Sequence, residues 1–200
     1  MSQEDNKWKE YYQKIKGRAP RQLLVDALAY FPDETSSTQR NAIDLGCGDG
    51  TESALLLVRG WNVLAIDGEP AAIQHLMEKV PAENKVRLQT QVAKFKDVIL
   101  SPAHLIHASL SIPFCELEHF SALWNKIVNA MQPGGRFAGQ FFGVRDSWAV
   151  NTDMTFHTED QVRKMLEPFE IESFHEMDED GNATSGPKHW HVFTVIARKV

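Results

Sequence analysis

Three glycines at alternate positions and two aspartates are the residues of this chain whose types and spacing could form a ligand site. Gly46, Gly48 and Gly50 follow an apolar run that carries Asp44. Glycines at such a point let the backbone turn tightly and approach a ligand closely. The next apolar run ends in Asp67, 17 residues beyond Gly50, where a carboxylate typically binds ribose hydroxyls.

Two classes of cofactor use a glycine turn followed by an acidic residue. Nicotinamide dinucleotides bind to G-x-G-x-x-G, but the third glycine position is Thr51 here. Asp44 would also repel a pyrophosphate at this turn, whereas it suits a ligand with a cationic amino group. The pattern is D-x-G-x-G-x-G, which favours a cofactor with an amino group and leaves a nicotinamide-dependent oxidoreductase as the less favoured alternative.

Several segments resemble a known enzyme family. AIDLGCGDG resembles motif I of the class I S-adenosylmethionine-dependent methyltransferases, and VLAIDGEP resembles their motif II region. The resemblance covers about residues 40–200. Four further segments are similar to a bacterial group of small-molecule methyltransferases related to tellurite-resistance enzymes: HASLSIPF, FAGQFFGVRDSW, MTFHTED and PKHWHVF.

The resemblance implies roles for residues at the predicted cofactor site. S-adenosyl-L-methionine, or its product S-adenosyl-L-homocysteine, would meet Asp44 at its methionine part, with the glycine loop beneath. Asp67 would hold the ribose, Gln91 would meet the adenine, and Ser109 would lie near the sulfonium. Arg18 is the candidate for the cofactor carboxylate, because arginine can bind a carboxylate through two hydrogen bonds. The complete predicted set is Arg18, Asp44, Gly46, Gly48, Gly50, Asp67, Gly68, Gln91, Val92 and Ser109.

Candidates for the methyl-acceptor site are less well defined. The loop after the fourth predicted strand, SLSIPF, lacks the N/D-P-P-Y/F pattern with which certain DNA and amide N-methyltransferases hold a planar nitrogen. Histidines could act as bases near neutral pH, and Arg145 could bind an anionic acceptor. The candidates are Tyr12, which could form an aromatic lid with Trp8 and Tyr11, and Arg145, His157, His189 and His191. Three scattered histidines, and two cysteines outside any CxxC pair, predict no metal site.

The elements that must position these residues alternate between strands and helices. Apolar runs alternating with helices indicate a parallel sheet built from βαβ units. The predicted strands are 41–45, 62–66, 86–91, 104–108 and 136–142, with helices at 51–58, 70–79 and 116–131, whereas 92–101 is ambiguous. The tail departs from this pattern, with a capped helix at 158–166 and strands at 170–177 and 190–198 that predict an antiparallel hairpin.

The expected fold is therefore α/β and Rossmann-like. Following the resemblance, we expect a seven-stranded sheet in the order 3-2-1-4-5-7-6, with the last strand antiparallel and helices on both faces. Residues 1–32 would form an N-terminal helical cap, with helices at 7–16 and 22–31. Residues 33–200 would form the methyltransferase domain, the whole being one structural domain.

Composition excludes several other classes of protein. The chain has 200 residues, 42% of them hydrophobic, and a net charge of -6. These values are typical of one globular domain, and the acidic balance does not suggest a nucleic-acid partner. The N-terminus lacks an apolar signal sequence, and no run of 18 apolar residues could span a membrane. We expect a cytoplasmic monomer or homodimer without nucleic-acid or membrane partners.

These observations lead to one functional hypothesis and two alternatives. The chain is expected to be an S-adenosylmethionine-dependent methyltransferase that transfers a methyl group by in-line displacement to a small-molecule acceptor, either anionic or a soft nucleophile. A non-catalytic protein that binds S-adenosylmethionine or S-adenosylhomocysteine is the first alternative, because cofactor binding and turnover share the same motif. The oxidoreductase is the second.

Overall fold

The described part of the chain alternates strands and helices. The computed structural model describes residues 17–31 and 39–200. Within these residues there are eight β-strands: β1 (Asn41–Leu45), β2 (Asn62–Asp67), β3 (Leu88–Val92), β4 (Ala103–Ala108), β5 (Met131–Gly143), β6 (Phe156–His157), β7 (Phe169–Ala183) and β8 (Gly186–Lys199). The helices are α1 (Gln22–Ala29), α2 (Thr51–Val58), α3 (Pro70–Lys79), α4 (Leu117–Ala130) and α5 (Glu159–Met165), with short 3-10 turns at Ala82–Arg87, Phe95–Asp97 and Ile112–Phe114.

The strand order confirms the predicted topology. The sheet runs β3-β2-β1-β4-β5-β8-β7, where β7 and β8 are the predicted sixth and seventh strands. The first five strands in chain order pair in parallel, and β8 is antiparallel to both β5 and β7. The two-residue strand β6, which pairs with β5, is an addition to the prediction. Two residues are too few to show a strand pattern in a sequence.

The order of the strands reverses at β1, and this reversal positions the site. β1 pairs with β2 on one side and with β4 on the other. The chain therefore leaves β1 toward one half of the sheet and later crosses to the other half. Ligands bind to open α/β sheets in the crevice that this reversal opens at the carboxyl ends of the strands.

Helices cover both faces of the sheet, as predicted. On one face, α1, α2 and α3 bury Leu24, Leu56 and Leu76 in one apolar cluster with side chains of the sheet. On the other face, α4 and α5 bury Ile127 and Val162 in a second cluster. Because both faces are covered, the four residues of β1 that follow Asn41 are all buried, which explains its nearly continuous apolar run.

The terminal hairpin is longer than its sequence pattern predicts. Pairing between β7 and β8 continues to Ala183 and Gly186, so the predicted glycine-rich connection shrinks to Thr184 and Ser185. Strand pairing needs only backbone groups, and it therefore extends through polar residues that show no apolar alternation. The hairpin consequently reaches the same edge of the sheet as the glycine turn.

The sequence predicted the start of α5 correctly but placed the start of β5 too late. The capping box at the start of α5 is confirmed: Gln161 N donates to Thr158 Oγ1 at 3.3 Å, and Thr158 N donates to Gln161 Oε1 at 2.8 Å. β5 begins at Met131 instead of at 136, because Met131 already pairs with Ala103 before a register shift. Such an irregular start cannot be recognised from the glycines and proline around it.

Part of the predicted N-terminal cap lies outside the described residues. The predicted helix at 7–16, including Tyr12, and most of the loop before β1 belong to those parts. Within the described residues, α1 buries Leu24 and Ala27 against the sheet. The division into a cap and a domain stays a prediction. No helix among the described residues is long and apolar enough to cross a membrane.

Candidate active site

A cavity of about 650 Å³ opens at the carboxyl ends of β1, β2 and β4. One end lies at the glycine turn, and the other reaches aromatic side chains near the end of β5 and the hairpin tip. Seven predicted cofactor residues line it: Arg18, Asp44, Gly46, Gly48, Asp67, Gly68 and Ser109. Gly50, Gln91 and Val92 do not line it.

The glycine turn is built from backbone that only glycine adopts readily. Gly46, Gly48 and Gly50 have φ angles of 81°, 53° and 74°, in the left-handed region. A Cβ on Gly46 would also stand 2.3 Å from Cβ of Ser111. Gly50 supports the turn without facing the cavity, because it precedes α2 and packs against Leu76.

Asp67 connects the end of β2 to the glycine turn. Gly48 N donates to Asp67 Oδ2 at 2.9 Å, and Glu69 N donates to Asp67 Oδ1 at 2.9 Å. These two hydrogen bonds orient the Asp67 carboxylate at the end of β2. Asp67 lies on the cavity wall beside Gly68, and its contact with ribose stays a prediction.

A buried pair of residues lies at the base of the cavity, and the sequence predicted only one of them. Asp44 and His107 are opposite each other in β1 and β4, and each is 2% exposed. His107 Nδ1 donates to Asp44 Oδ1 at 3.0 Å, and Ser53 Oγ donates to Asp44 Oδ2 at 2.6 Å. His107 lines the cavity, and its Nε2 is buried without a hydrogen-bond partner among the described residues. A buried polar atom without a partner is costly, so a ligand atom that bonds to this nitrogen would be favourable.

Arg18 lies on the cavity wall, where carboxylates already bind it. Its guanidinium donates to both oxygens of Glu52 at 2.5 Å and lies 3.3 Å from Asp49. Burial would raise the pKa of Glu52, but the hydrogen bonds and charge of Arg18 outweigh burial, and the pKa of Glu52 is lowered. For Asp49, hydrogen bonds from Lys79 and Thr51 likewise outweigh burial and lower the pKa. Arg18 therefore orders acidic side chains at this end of the cavity, and its predicted contact with a cofactor carboxylate remains a prediction.

The cavity wall after β3 lies slightly later in the chain than predicted. Ala93 to Lys96 line the cavity, whereas Gln91 and Val92 still belong to β3. Gln91 Oε1 accepts a hydrogen bond from Ile99 N at 3.3 Å, and Val92 is 52% exposed. The structure thus corrects the placement of the adenine-side wall, because the chain turns over the cavity only once the strand has ended.

Ser109 lies just after β4 on the cavity wall, and its predicted place near the sulfonium stays a prediction. Its Oγ donates to Gln140 Oε1 at 2.7 Å, and Gln140 Nε2 donates to Thr194 Oγ1 at 3.1 Å. This chain of bonds connects β4, β5 and β8 and keeps the hydroxyl of Ser109 at a defined position.

The described acceptor-site candidates lie away from the cavity wall, which corrects their predicted placement. Arg145 binds Glu176 at 2.6 Å and Asp178 at 2.7 Å instead of facing the cavity. His189 is bound by the carboxylates of Asp178 and Asp180 on the surface of the hairpin. Tyr12 lies outside the described residues.

The two other histidine candidates are buried. His191 Nδ1 accepts from Arg145 N at 3.0 Å, and its Nε2 lies 2.8 Å from Glu176. His157 packs against Phe120 with ring centres 4.6 Å apart. Burial lowers the pKa of His157 to about 4, so its ring is neutral at neutral pH. The alternation of residues along β6 and β8 turns both rings into the protein instead of toward the cavity.

Aromatic side chains form the end of the cavity opposite the glycine turn. Phe114, Phe142, Trp148 and Trp190 line it and contact one another. Their ring centres are 6.2 Å apart for Phe114 and Trp148, 6.0 Å for Phe142 and Trp190, and 5.8 Å for the two tryptophans. We call these four residues the aromatic wall. They come from four separate segments, so no local pattern in the sequence identifies them as a group.

The described residues also include two buried cysteines and two groups of possible metal ligands. Burial raises the pKa of the Cys47 thiol, and it raises that of Cys115 to about 11, so both are protonated at neutral pH. Two groups of three possible metal ligands occur among the described residues: Glu116, Glu118 and His119, and Glu176, Asp178 and His191. Their carboxylates are exposed, as is common without any metal, and the expectation of no metal remains a prediction.

Comparison with known proteins bears on the choice between the two classes of cofactor site. Residues 42–135, which contain the glycine turn and Asp67, match the model of a family described as "Methyltransferase domain". This stretch is therefore similar to that family, and the match covers just under half of the chain. The match favours the predicted methyltransferase over the nicotinamide-dependent alternative.

A curated relative with a similar sequence agrees with this result. A trans-aconitate 2-methyltransferase from Paracidovorax citrulli is 31% identical over 106 residues, which are 52% of this chain and 39% of that protein. The matched region is thus well under half the length of this curated relative.

Solved structures show the same fold over nearly the whole chain. TehB from Haemophilus influenzae has a TM-score of 0.74 at 18% identity, over 96% of this chain and 67% of its own. The 1,6-didemethyltoxoflavin-N1-methyltransferase of Burkholderia thailandensis has a TM-score of 0.68 at 16% identity, over 98% and 87%. At these identities the likeness shows that the chain has the class I methyltransferase fold.

Proposed function

We propose that this protein is an S-adenosylmethionine-dependent methyltransferase that acts on a small molecule. The observation that carries the proposal is the continuity of one cavity. It joins the glycine turn and Asp67 to the aromatic wall, so a cofactor and an acceptor can lie end to end. The in-line displacement predicted from the resemblance requires this arrangement.

The residues at the glycine-turn end fit the cofactor chemically. Asp44, Glu52 and His107 offer acceptors to a cationic amino group at the methionine end, and Nε2 of His107 has no hydrogen-bond partner among the described residues. Asp67 offers carboxylate oxygens to the ribose, and the 93–96 segment forms the wall beside it for the adenine. When bound, S-adenosylmethionine supplies a methyl group carried on a positively charged sulfur. The leaving group of the transfer is that sulfur, as a neutral thioether.

The residues of the chain contribute position and exclusion of water more than acid–base chemistry. A neutral thioether leaves without needing a proton, so no general acid is required. Ser109 lies between the two ends of the cavity, and the aromatic wall excludes water from the acceptor end.

Of the two acceptor types predicted, a soft nucleophile has more support than an anion. The prediction of an anionic acceptor depended on Arg145, whose guanidinium binds Glu176 and Asp178 outside the cavity. The aromatic wall suits a soft atom, since polarizable sulfur makes favourable contacts with aromatic rings. We therefore propose a thiol or a related chalcogen compound as the acceptor.

Calorimetry tests the cofactor, with NADH as the parallel control. We expect S-adenosylhomocysteine to bind with micromolar affinity and NADH not to bind. The failure of S-adenosylhomocysteine to bind to folded protein would refute the proposal. Transfer of a labelled methyl group to a panel of small thiols then separates an enzyme from a non-catalytic binding protein, because only the enzyme yields a methylated product.

A further inference from the structure

We infer that the aromatic wall is the binding site for a flat aromatic ring of the acceptor, one that is not positively charged. This inference rests on the proposed function and names the class of substrate for the same site. The wall consists of side chains that line a cavity, contact one another and continue the surface of the cofactor end. A ring that enters it gains edge-to-face contacts that a saturated molecule of the same size lacks.

A buried ion pair between Lys188 and Asp146 lies against the aromatic wall. Lys188 is 4% exposed, and its ammonium binds the carboxylate of Asp146, which is 3% exposed. Burial lowers the pKa of Lys188, while Asp146 counteracts this effect. A buried ion pair is costly to desolvate and is weak evidence for stability. Its place against the wall points instead to a role in positioning.

The contacts of Lys188 show what the pair positions. Its ammonium lies 4.3 Å from the ring centre of Trp148, 4.2 Å from that of Trp190 and 5.2 Å from that of Phe142. One charge thus attracts three of the four rings of the wall at once. The two indoles are thereby fixed relative to each other before any acceptor arrives.

Asp146 fixes the backbone that carries these indoles. Trp148 N donates to Asp146 Oδ1 at 2.9 Å, and His191 N, next to Trp190, donates to Asp146 Oδ2 at 3.2 Å. The loop after β5 and the strand β8 are therefore held through one carboxylate. A wall that is already rigid loses little entropy on binding, which favours a rigid, flat ligand.

The ammonium of Lys188 also determines which charge on an acceptor the aromatic wall can bind. Aromatic cages commonly bind cations, but here Lys188 already supplies the cation to three of the rings. A second positive charge on the wall would be repelled.

The first test compares three probes on the complex with saturating S-adenosylhomocysteine, by ligand-observed NMR titration. The probes are 2-naphthalenemethanol, its fully saturated decahydro counterpart, and benzyltrimethylammonium. We expect the naphthalene compound to bind about threefold to tenfold more tightly than the saturated one. We also expect the cation to bind more weakly than the naphthalene compound. Equal binding of the first two, or tightest binding of the cation, would overturn the inference.

Variants locate the effect on the wall. Trp148→Leu should remove the preference for the aromatic probe and leave the affinity for S-adenosylhomocysteine unchanged. Lys188→Met keeps the apolar stem without the charge, so it should increase the affinity for benzyltrimethylammonium. Lys199→Met is the matched control, because Lys199 lies over Phe169, away from the cavity, and should change neither value.

The outcomes separate the inference from the proposed function. If wild-type protein does not bind S-adenosylhomocysteine, the proposed function fails first. If it binds S-adenosylhomocysteine but Trp148→Leu retains the full preference for the aromatic probe, only the inference is wrong. Because Trp148→Leu tests the wall without touching the buried pair, the inference stays testable even if Lys188→Met does not fold.

Discussion

At the scale of single residues, the sequence identified two acids near the ends of strands but missed the histidine that pairs with one of them. Asp44 and Asp67 were predicted from their position relative to the glycine turn, and both line the cavity. His107 was missed because its importance arises from pairing with Asp44 across β1 and β4, 63 residues apart. A histidine in an apolar strand has no local signal that distinguishes it from a core residue.

His107→Phe should weaken the binding of S-adenosylhomocysteine about tenfold to hundredfold, because a hydrogen bond to a charged amino group is lost. The affinity for methylthioadenosine, which lacks the amino-acid part, should not change. Calorimetry with both ligands measures this. The control is His104→Gln, at the opposite end of the same strand, where His104 accepts a bond from Asn41 N. A parallel loss for both ligands would contradict the predicted position of the amino group.

Asp67→Asn should also weaken S-adenosylhomocysteine binding, by one to two orders of magnitude, since a buried charged acceptor is lost. The amide oxygen can still accept from Gly48 N, so the glycine turn should persist. Calorimetry beside the exposed control Asp97→Asn measures the effect. Unchanged affinity would exclude Asp67 from the ribose site.

At the scale of elements, the glycine turn combines two separate constraints. Its backbone is left-handed, and a side chain of a neighbouring loop packs directly against it. Gly46 has both, with φ of 81° and Ser111 beside it. Gly60 also has a positive φ, 84°, but no atom of the described residues lies within 4 Å of the position that a Cβ would take. The first constraint is readable from a glycine pattern, whereas the second depends on the loop after β4.

The pair of glycines allows the two constraints to be measured separately. Gly60→Ala should lower the free energy of unfolding by about 1–2 kcal/mol, the cost of a left-handed alanine. Gly46→Ala should lower it by a further ~1–3 kcal/mol, because its Cβ overlaps Ser111. Urea unfolding measures both. Equal losses would show that the loop after β4 yields without cost.

β6 contributes a dependence of stability on pH through His157. Its pKa is lowered to about 4 by burial, below the value of about 6.5 for an unfolded histidine. Between these pH values the unfolded chain binds more protons than the folded one. The stabilising contribution is therefore complete above about pH 6.5 and is lost as the pH falls toward 4.

We accordingly expect wild-type protein to lose about 2 kcal/mol more stability than His157→Phe between about pH 7.5 and pH 5. The phenylalanine keeps the aromatic packing against Phe120 without the titrating group. Urea unfolding at both pH values measures the difference, which cancels the contribution of the other histidines. Parallel pH profiles would show that His157 is not protected in the folded state.

At the scale of the whole molecule, one cavity collects residues from Arg18 to Trp190. A ligand that fills its glycine-turn end therefore contacts several elements at once and should stabilise the protein as a unit. The prediction of a monomer or homodimer remains a prediction.

S-adenosylhomocysteine at about 100 times its dissociation constant should raise the free energy of unfolding by about 2.7 kcal/mol. For a chain of this size, the melting temperature should rise by roughly 5–10 °C. Scanning fluorimetry measures the shift, with NADH as the negative control. A comparable shift with NADH would reopen the oxidoreductase alternative.

The sequence by itself determined the features that depend on neighbouring residues. Local backbone geometry and the spacing of apolar residues account for the alternation of strands and helices, the glycine turn, the capping box of α5 and the acids at the ends of β1 and β2. The strand order followed from resemblance to a family, and the structure confirms it.

Only the tertiary structure decided which distant side chains meet. Segments that are far apart in the chain meet in the Lys188–Asp146 pair, in the Asp44–His107 pair and in the aromatic wall. Among the described residues, Nε2 of His107 has no hydrogen-bond partner. The same packing removed Arg145 and the predicted histidines from the cavity. The physical reason is that strand order and register set the direction of each side chain, and a shift of one residue turns it to the opposite face.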